Sequence, residues 1–235
     1  MKIVEQSITF GDINGKRVLE IIEDSARCCY QSSHKVTGLE EDTKRFVSGL
    51  VRSGHESTLE HVSFRARVIT NRGVSHEWVR HRVGCSYSQE STRYCDYGSK
   101  DGGITVIWPW YLGSHDLWKQ PKVGELVATP YTTWHKAMLT AEACYKVLLE
   151  QGCKPEMARG VLPNDLKTEF VTTMTARAWR HFFKLRCARA AHPQIRELAL
   201  DALEHLSSVV PVLFDDLDKE FKNGYRGRPP LPGVV

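Results

Sequence analysis

The chain is predicted to be an α+β protein, with helices packed about a small, mostly antiparallel sheet. Three observations lead there. Long stretches place apolar residues at helical spacing, two shorter ones alternate with a period of two, and no repeat, low-complexity tract or linker divides the 235 residues. That length suits one domain, taken as 1–235, with enough chain to build its own core. With 41% hydrophobic and 26% charged residues, the composition excludes a disordered or tail-like protein.

The elements follow in order. Residues 17–31 set Val18, Ile21, Ile22, Ser25, Cys28 and Cys29 at helical spacing, and 42–53 do likewise with Phe46, Val47, Leu50 and Val51 before Gly54. From 62 to 70 the period becomes two, with Val62, Phe64, Ala66 and Val68 on one face and Ser63, Arg65 and Arg67 on the other: a half-buried strand. Residues 74–83 read as a short helix carrying Glu77, Trp78, Arg80, His81 and Arg82, ended by Gly84, which suits the left-handed turn after a helix. Residues 86–93 read as a polar loop, and 98–120 as an irregular connection around a strand at 104–108. A long helix spans 132–151, and Pro155 opens another over 156–162, stopped by Pro163. Phe170, Thr172 and Met174 alternate as a strand, residues 176–188, 194–209 and 212–222 read as three helices, and the Pro- and Gly-rich 224–235 as an extended tail.

The net charge is +4, from 32 basic and 28 acidic residues, too small an excess for a general nucleic-acid binder. Met1–Gln6 lacks the apolar run of a signal peptide, and no window approaches the roughly 18 apolar residues of a membrane span, so a soluble cytoplasmic protein without a membrane partner is expected. The seven cysteines are an odd count without a C-x-x-C pair, which favours reduced, structural thiols. No metal site is expected: His55 and His61, six apart, have no Cys or third His nearby and read as packing or hydrogen-bonding residues.

Arginine gathers in two windows, Arg80, Arg82 and Arg93 in one, Arg177, Arg180, Arg186 and Arg189 in the other, with Arg159 between. A guanidinium is a planar fork of donors that matches phosphate, so the windows compete with the simpler reading of a solvated basic face. On a helix, Arg80, His81 and Arg82 would point about 100° apart and could not share one solvent face. The hydroxyls and amides of 86–93 suit a nucleotide. Cys85, beside the basic helix end, is the one thiol whose pKa such a site could lower, against the reading of a small packed residue.

Arg80-His81-Arg82 followed by Ser86 to Tyr94 resembles the signature of the flavin-dependent thymidylate synthases: an Arg-His-Arg triplet, a spacer of seven, then Ser. Gly54-His55-Glu56-Ser57-Thr58-Leu59-Glu60-His61 is similar to a second family segment, and Ala158–Pro163, Ala176–Trp179, Leu185-Arg186 and His192-Pro193-Gln194 match further ones in family order, from about residue 26 to 197. The chain departs in three ways. Eight residues separate Arg82 from Ser91, the extra one placed within Val83–Cys85; Ser57 replaces the usual Thr; and Thr175 and His181 stand where Asn is found.

The resemblance implies an enzyme that makes dTMP from dUMP, with the carbon from 5,10-methylenetetrahydrofolate and the hydride from FAD reduced by NADPH, giving tetrahydrofolate. It makes Arg186 the catalytic residue, favouring loss of the uracil ring NH proton. It assigns dUMP to Glu77, Trp78, Val79, Arg80, Gln89, Glu90, Ser91, Thr92, Arg93, Arg159 and Arg186, and FAD to Ser57, Arg80, His81, Arg82, Gln89, Thr175, Arg177 and His181. It also implies a homotetramer with shared sites. Arg177 and Arg186, nine residues or about 900° apart on one helix, face opposite ways, which favours sites built between subunits. No cysteine follows a proline, as the nucleophile of the flavin-free enzymes does, and no G-x-G-x-x-G follows a strand, so no dinucleotide-binding turn of that type is expected. Two alternatives stay open: a flavin- and folate-dependent uracil methyltransferase acting on RNA, and a nucleotide-binding relative without turnover.

Overall fold

The structure, a computed structural model, describes residues 1–98, 102–113 and 129–222. The expected tail at 224–235 and much of the 98–120 connection lie outside the described residues. Two N-terminal strands absent from the sequence expectation come first, β1 (Lys2–Val4) and β2 (Ser7–Phe10), before α1 (Gly15–Cys28) and α2 (Glu40–Arg52). Three or four residues are too few for a readable period. β3 (Ser63–Asn71) leads directly into α3 (Arg72–Trp78), β4 (Cys85–Gln89) and β5 (Thr105–Ile107) follow, and then α4 (Pro130–Glu150) and α5 (Pro155–Ala158). β6 (Lys167–Thr175), α6 (Ala176–Arg186), α7 (Pro193–Val209) and α8 (Pro211–Lys222) complete the described chain.

The main sheet is antiparallel, in the order β2-β3-β6-β4, and β1 and β5 form a separate parallel pair. In β3 the expected alternation holds: Phe64, Ala66 and Val68 are buried, Arg65 and Arg67 exposed. The buried face meets Leu19 and Ile22 of α1, Val47 of α2, Trp179, Phe182 and Phe183 of α6, Leu198 of α7 and Phe214 of α8 in one core. A second core joins Ile104, Val106 and Trp108 to Tyr131, Trp134 and Met138 of α4.

Three expectations need correction, two of them around β4. Residues 85–89 form the edge strand of the main sheet, where a loop over 86–93 was expected. Its inward positions are Cys85, Tyr87 and Gln89, half-buried, while Ser86 and Ser88 are exposed, so a polar-looking run hides a period of two. The helix expected over 74–83 stops at Trp78; the Val79 N–H closes its last turn on the Ser75 carbonyl, 3.1 Å away. The Tyr87 hydroxyl then donates to the carbonyls of Trp78, at 3.4 Å, and His81, satisfying acceptors that a longer helix would have covered. Gly84, with φ +68°, turns the chain into β4. Likewise the helix expected over 156–162 is the single turn α5 and a 3₁₀ turn at Arg159–Val161.

Candidate active site

α6 and α3 bring their ends together on the Arg186 side chain. The Arg186 Nε donates to His81 Nε2 at 3.0 Å, Nη1 to the Glu77 carboxylate at 3.0 Å, and Nη2 to the Glu77 carbonyl at 3.2 Å. The Arg186 side chain is 19% exposed, neither solvated nor sealed off. His81 is buried, packed edge-on against Phe182 at 5.0 Å with His181 at 6.1 Å. Burial first, then the charge of Arg186 and the neighbouring His181, lowers its pKa from 6.5 to about 4, so it is a neutral acceptor. The expectation that Arg80, His81 and Arg82 diverge is met by a turn: His81 is buried while Arg80 and Arg82 are exposed.

A second group forms beyond β4. Glu90 is held at both carboxylate oxygens, by the Tyr97 hydroxyl at 2.5 Å and Lys167 at 2.9 Å, while Arg72 donates to its carbonyl at 3.4 Å. Gln89 donates to Ser75 Oγ and Thr168 Oγ1, both at 3.0 Å, so its side-chain amide braces β4 against α3 and β6. Thr92 is buried and accepts from Arg159 at 3.4 Å; Ser91 Oγ accepts the Arg93 N–H at 3.3 Å; and Arg93 pairs with Glu156 at 3.5 Å. Tyr97, Lys167 and Arg72 were missed from the sequence. A signal for Lys167 existed, because it continues the alternation Glu169, Val171, Thr173 on the outer side of β6.

The third group sits at the other end of the sheet. Arg177 is paired with Glu60 at 2.6 Å, Ser57 and His181 are exposed, and the Thr175 hydroxyl caps α6 by accepting the Ala178 N–H at 3.2 Å. Glu90 bonds to the β6 backbone at Glu169 and Gly84 at Thr175, six residues apart, so about 20 Å of strand separates the two ends. Arg180, which the sequence places in one window with Arg177, Arg186 and Arg189, is buried and tied to Asp216 and Glu56.

Trp78, Cys85, His55 and His61 have defined surroundings. Trp78 is wholly buried among Phe170, Trp179 and Phe182, and its carbonyl already accepts from the His81 N–H and the Tyr87 hydroxyl, so the expectation that it touches dUMP is corrected: it packs beneath the site. Burial raises the Cys85 thiol pKa against an opposing Tyr87 contact, the reverse of an activated nucleophile, and its half-buried packing supports the small-residue reading. His55 and His61 are both exposed, so neither packs in the core. Among the described residues no cluster of three or more His, Cys, Asp or Glu side chains has metal-binding geometry.

The family model described as thymidylate synthase complementing protein matches residues 15–212. The chain belongs to this family. A flavin-dependent thymidylate synthase of Geobacter sulfurreducens is 33% identical over 201 residues, 82% of this chain and 78% of that one. The protein so named from Mycobacterium tuberculosis is 32% identical over 203 residues, 84% and 79% of the two chains. The fold is shared with a UMP/dUMP methylase of Streptomyces cacaoi, solved with 5-Br dUMP, at TM-score 0.73 and 23% identity over 94% of this chain and 98% of that one.

A flavin-dependent member of this thymidylate synthase family needs donors for a charged cofactor, and the residues present fit. Arg80 and Arg82 are exposed and form no ion pair among the described residues, which leaves two guanidinium forks free for phosphate oxygens. His181 of α6 and Ser57 are exposed and offer further polar contacts.

Proposed function

We propose that this methyltransferase converts dUMP to dTMP by reductive methylation, with 5,10-methylenetetrahydrofolate giving the carbon and leaving as tetrahydrofolate. The chemistry a bound flavin, proposed as FAD, supplies is the hydride, drawn from NADPH. One observation carries the reading: Arg186 is a partly exposed cation held on three sides by Glu77 and His81.

Carbon 5 of uracil is a weak nucleophile until the ring gains electron density. Of the five N–H groups of Arg186, three are spent on Glu77 and His81, and 5 − 3 = 2 remain to meet the uracil edge. The guanidinium stabilises the charge that develops as the ring NH proton leaves; it does not accept that proton, because it is never neutral in a protein. Glu77, Val79 and Arg80 border the base, while the buried Trp78 supports them from beneath. Gln89, Glu90, Ser91, Thr92, Arg93 and Arg159 hold the rest of dUMP, with Arg93 and Arg159 as the cations for its phosphate. Ser91 positions substrate, and Cys85, its pKa raised, adds to nothing.

FAD is assigned to Ser57, Arg80, His81, Arg82, Gln89, Thr175, Arg177 and His181. Because Arg177 and Gln89 stand at opposite ends of the sheet, we read the complete site as shared between copies in a homotetramer, with FAD and dUMP spanning subunits. The seven free cysteines accord with a reducing, cytoplasmic setting, and no helix of the described residues is long and apolar enough to cross a membrane.

The test is the purified protein itself. It should be yellow, bleach with NADPH and form dTMP when dUMP and methylenetetrahydrofolate are added. Arg186→Ala should keep the flavin and make almost no dTMP; near-normal turnover would show that the uracil-activating role lies elsewhere.

A further inference from the structure

Arg186 has four rotatable side-chain bonds, and a guanidinium free to swing would lose conformational entropy each time it met a substrate. Here it is already fixed. We infer that His81 and Glu77 are positioning residues that aim Arg186 at the pyrimidine, His81 by accepting its Nε–H and Glu77 by accepting from both terminal nitrogens. The inference rests on the reading of Arg186 as the uracil contact.

The setting of His81 supports it. Its backbone is spent, the N–H on the Trp78 carbonyl at 3.1 Å and the C=O on the Tyr87 hydroxyl. Its ring is clamped by Phe182 and 9% exposed overall. Accepting from Arg186 at Nε2 assigns the ring proton to Nδ1. An imidazolium would offer Arg186 no lone pair and would set a like charge 3.0 Å away. The groups facing the ring are Arg186 and His181 from α6 and Tyr87 from β4, with Glu77 of α3 across Arg186. None of them is an acid in contact with the ring that would favour its charged form, and burial opposes charge as well. The middle residue of the triplet is therefore turned inward to the arginine of a distant helix, 105 residues along the chain. This leaves Nδ1–H as its remaining polar group for a cofactor.

The test compares His81→Gln with His81→Asn in the flavin-loaded enzyme. Gln places an amide oxygen near the lost Nε2, whereas the shorter Asn cannot reach Arg186. Flavin content is read from absorbance, kcat and KM from dTMP formation, and dUMP affinity by calorimetry. Both variants lose the Nδ1–H assigned to FAD, so each is loaded with excess FAD and its rate is taken per bound flavin. Asn should lose about 10- to 100-fold in kcat/KM, the range for a hydrogen bond to a charged group, and Gln should recover most of it. In an Arg186→Ala background, His81→Asn should change dUMP affinity no further, since its effect runs through the missing guanidinium. Equal activity of Gln and Asn per bound flavin, or additive effects on dUMP affinity, would overturn the inference. Normal turnover by Arg186→Ala alone would instead overturn the assignment of Arg186, so the two failures are distinct.

Discussion

Arg180→Met tests whether the arginines of α6 divide into structural and functional groups. Arg180 is 3% exposed; its Nη1 and Nη2 meet Asp216 at 2.8 and 2.6 Å, its Nε meets Glu56 at 3.2 Å, and Nη1 also donates to the Leu213 carbonyl. It thereby pins α8 and the Glu56–His61 turn to α6. Removing one partner of a fully buried pair costs about 3–5 kcal/mol. The Asp216 side chain is 51% exposed and water can take over part of its share, so the expected loss is about 2–3 kcal/mol. For a chain of this length that corresponds to a melting temperature lower by about 4–12 °C. Urea titration of the holoprotein, followed by far-UV circular dichroism, reads the loss directly. Asp216→Asn should cost at least as much, because it sets an amide N–H2 against Nη2 and leaves the buried guanidinium with Glu56 as its remaining counter-charge. The pH dependence has a defined sign. Burial raises the Asp216 pKa, but the Arg180 contact outweighs it and leaves the value below 3.8, so this contribution is present above that pH and is lost in acid. A change within about 0.5 kcal/mol for Arg180→Met, the ordinary surface range, would refute the reasoning.

Three other outcomes are expected. Gly84→Ala forces a side chain into φ +68° and puts its Cβ 2.7 Å from the Thr175 hydroxyl that caps α6, so it should cost about 2–3 kcal/mol in a thermal melt. Cys85→Ala should keep flavin and most turnover, since a half-buried thiol of raised pKa is no nucleophile; loss of turnover with flavin intact would restore a thiol mechanism. His81, neutral when folded with a pKa of about 4 and 6.5 when unfolded, gives stability that is fully present above pH 6.5 and lost as pH falls toward 4. A pH series of urea midpoints should show that slope in the parent and a flatter one in His81→Gln.

What could be read from the sequence depended on how far each signal reached along the chain. β3, α1, α2 and α7 were legible because a buried face repeats over many residues. β4 was not, because as an edge strand it buries only Cys85, Tyr87 and Gln89, and its outward serines look like loop. The end of α3 was overrun because Val79–Val83 keeps a helical pattern; Tyr87, nine residues after Trp78, claims the carbonyls that would have continued it. Arg177 and Arg180 were indistinguishable as residue types, and only the packing of α8 made one of them internal.

The sequence by itself determined the family, the α+β class and the arginines worth attention, since motif order and periodicity are local properties of the chain. Which donors remain free was a tertiary decision. Glu77 lies 109 residues from Arg186, and nothing local to either predicts that the guanidinium they share with His81 is spent on three sides. A hydrogen bond depends on distance and direction in space, and those exist only after α3, β4 and α6 have packed about the sheet.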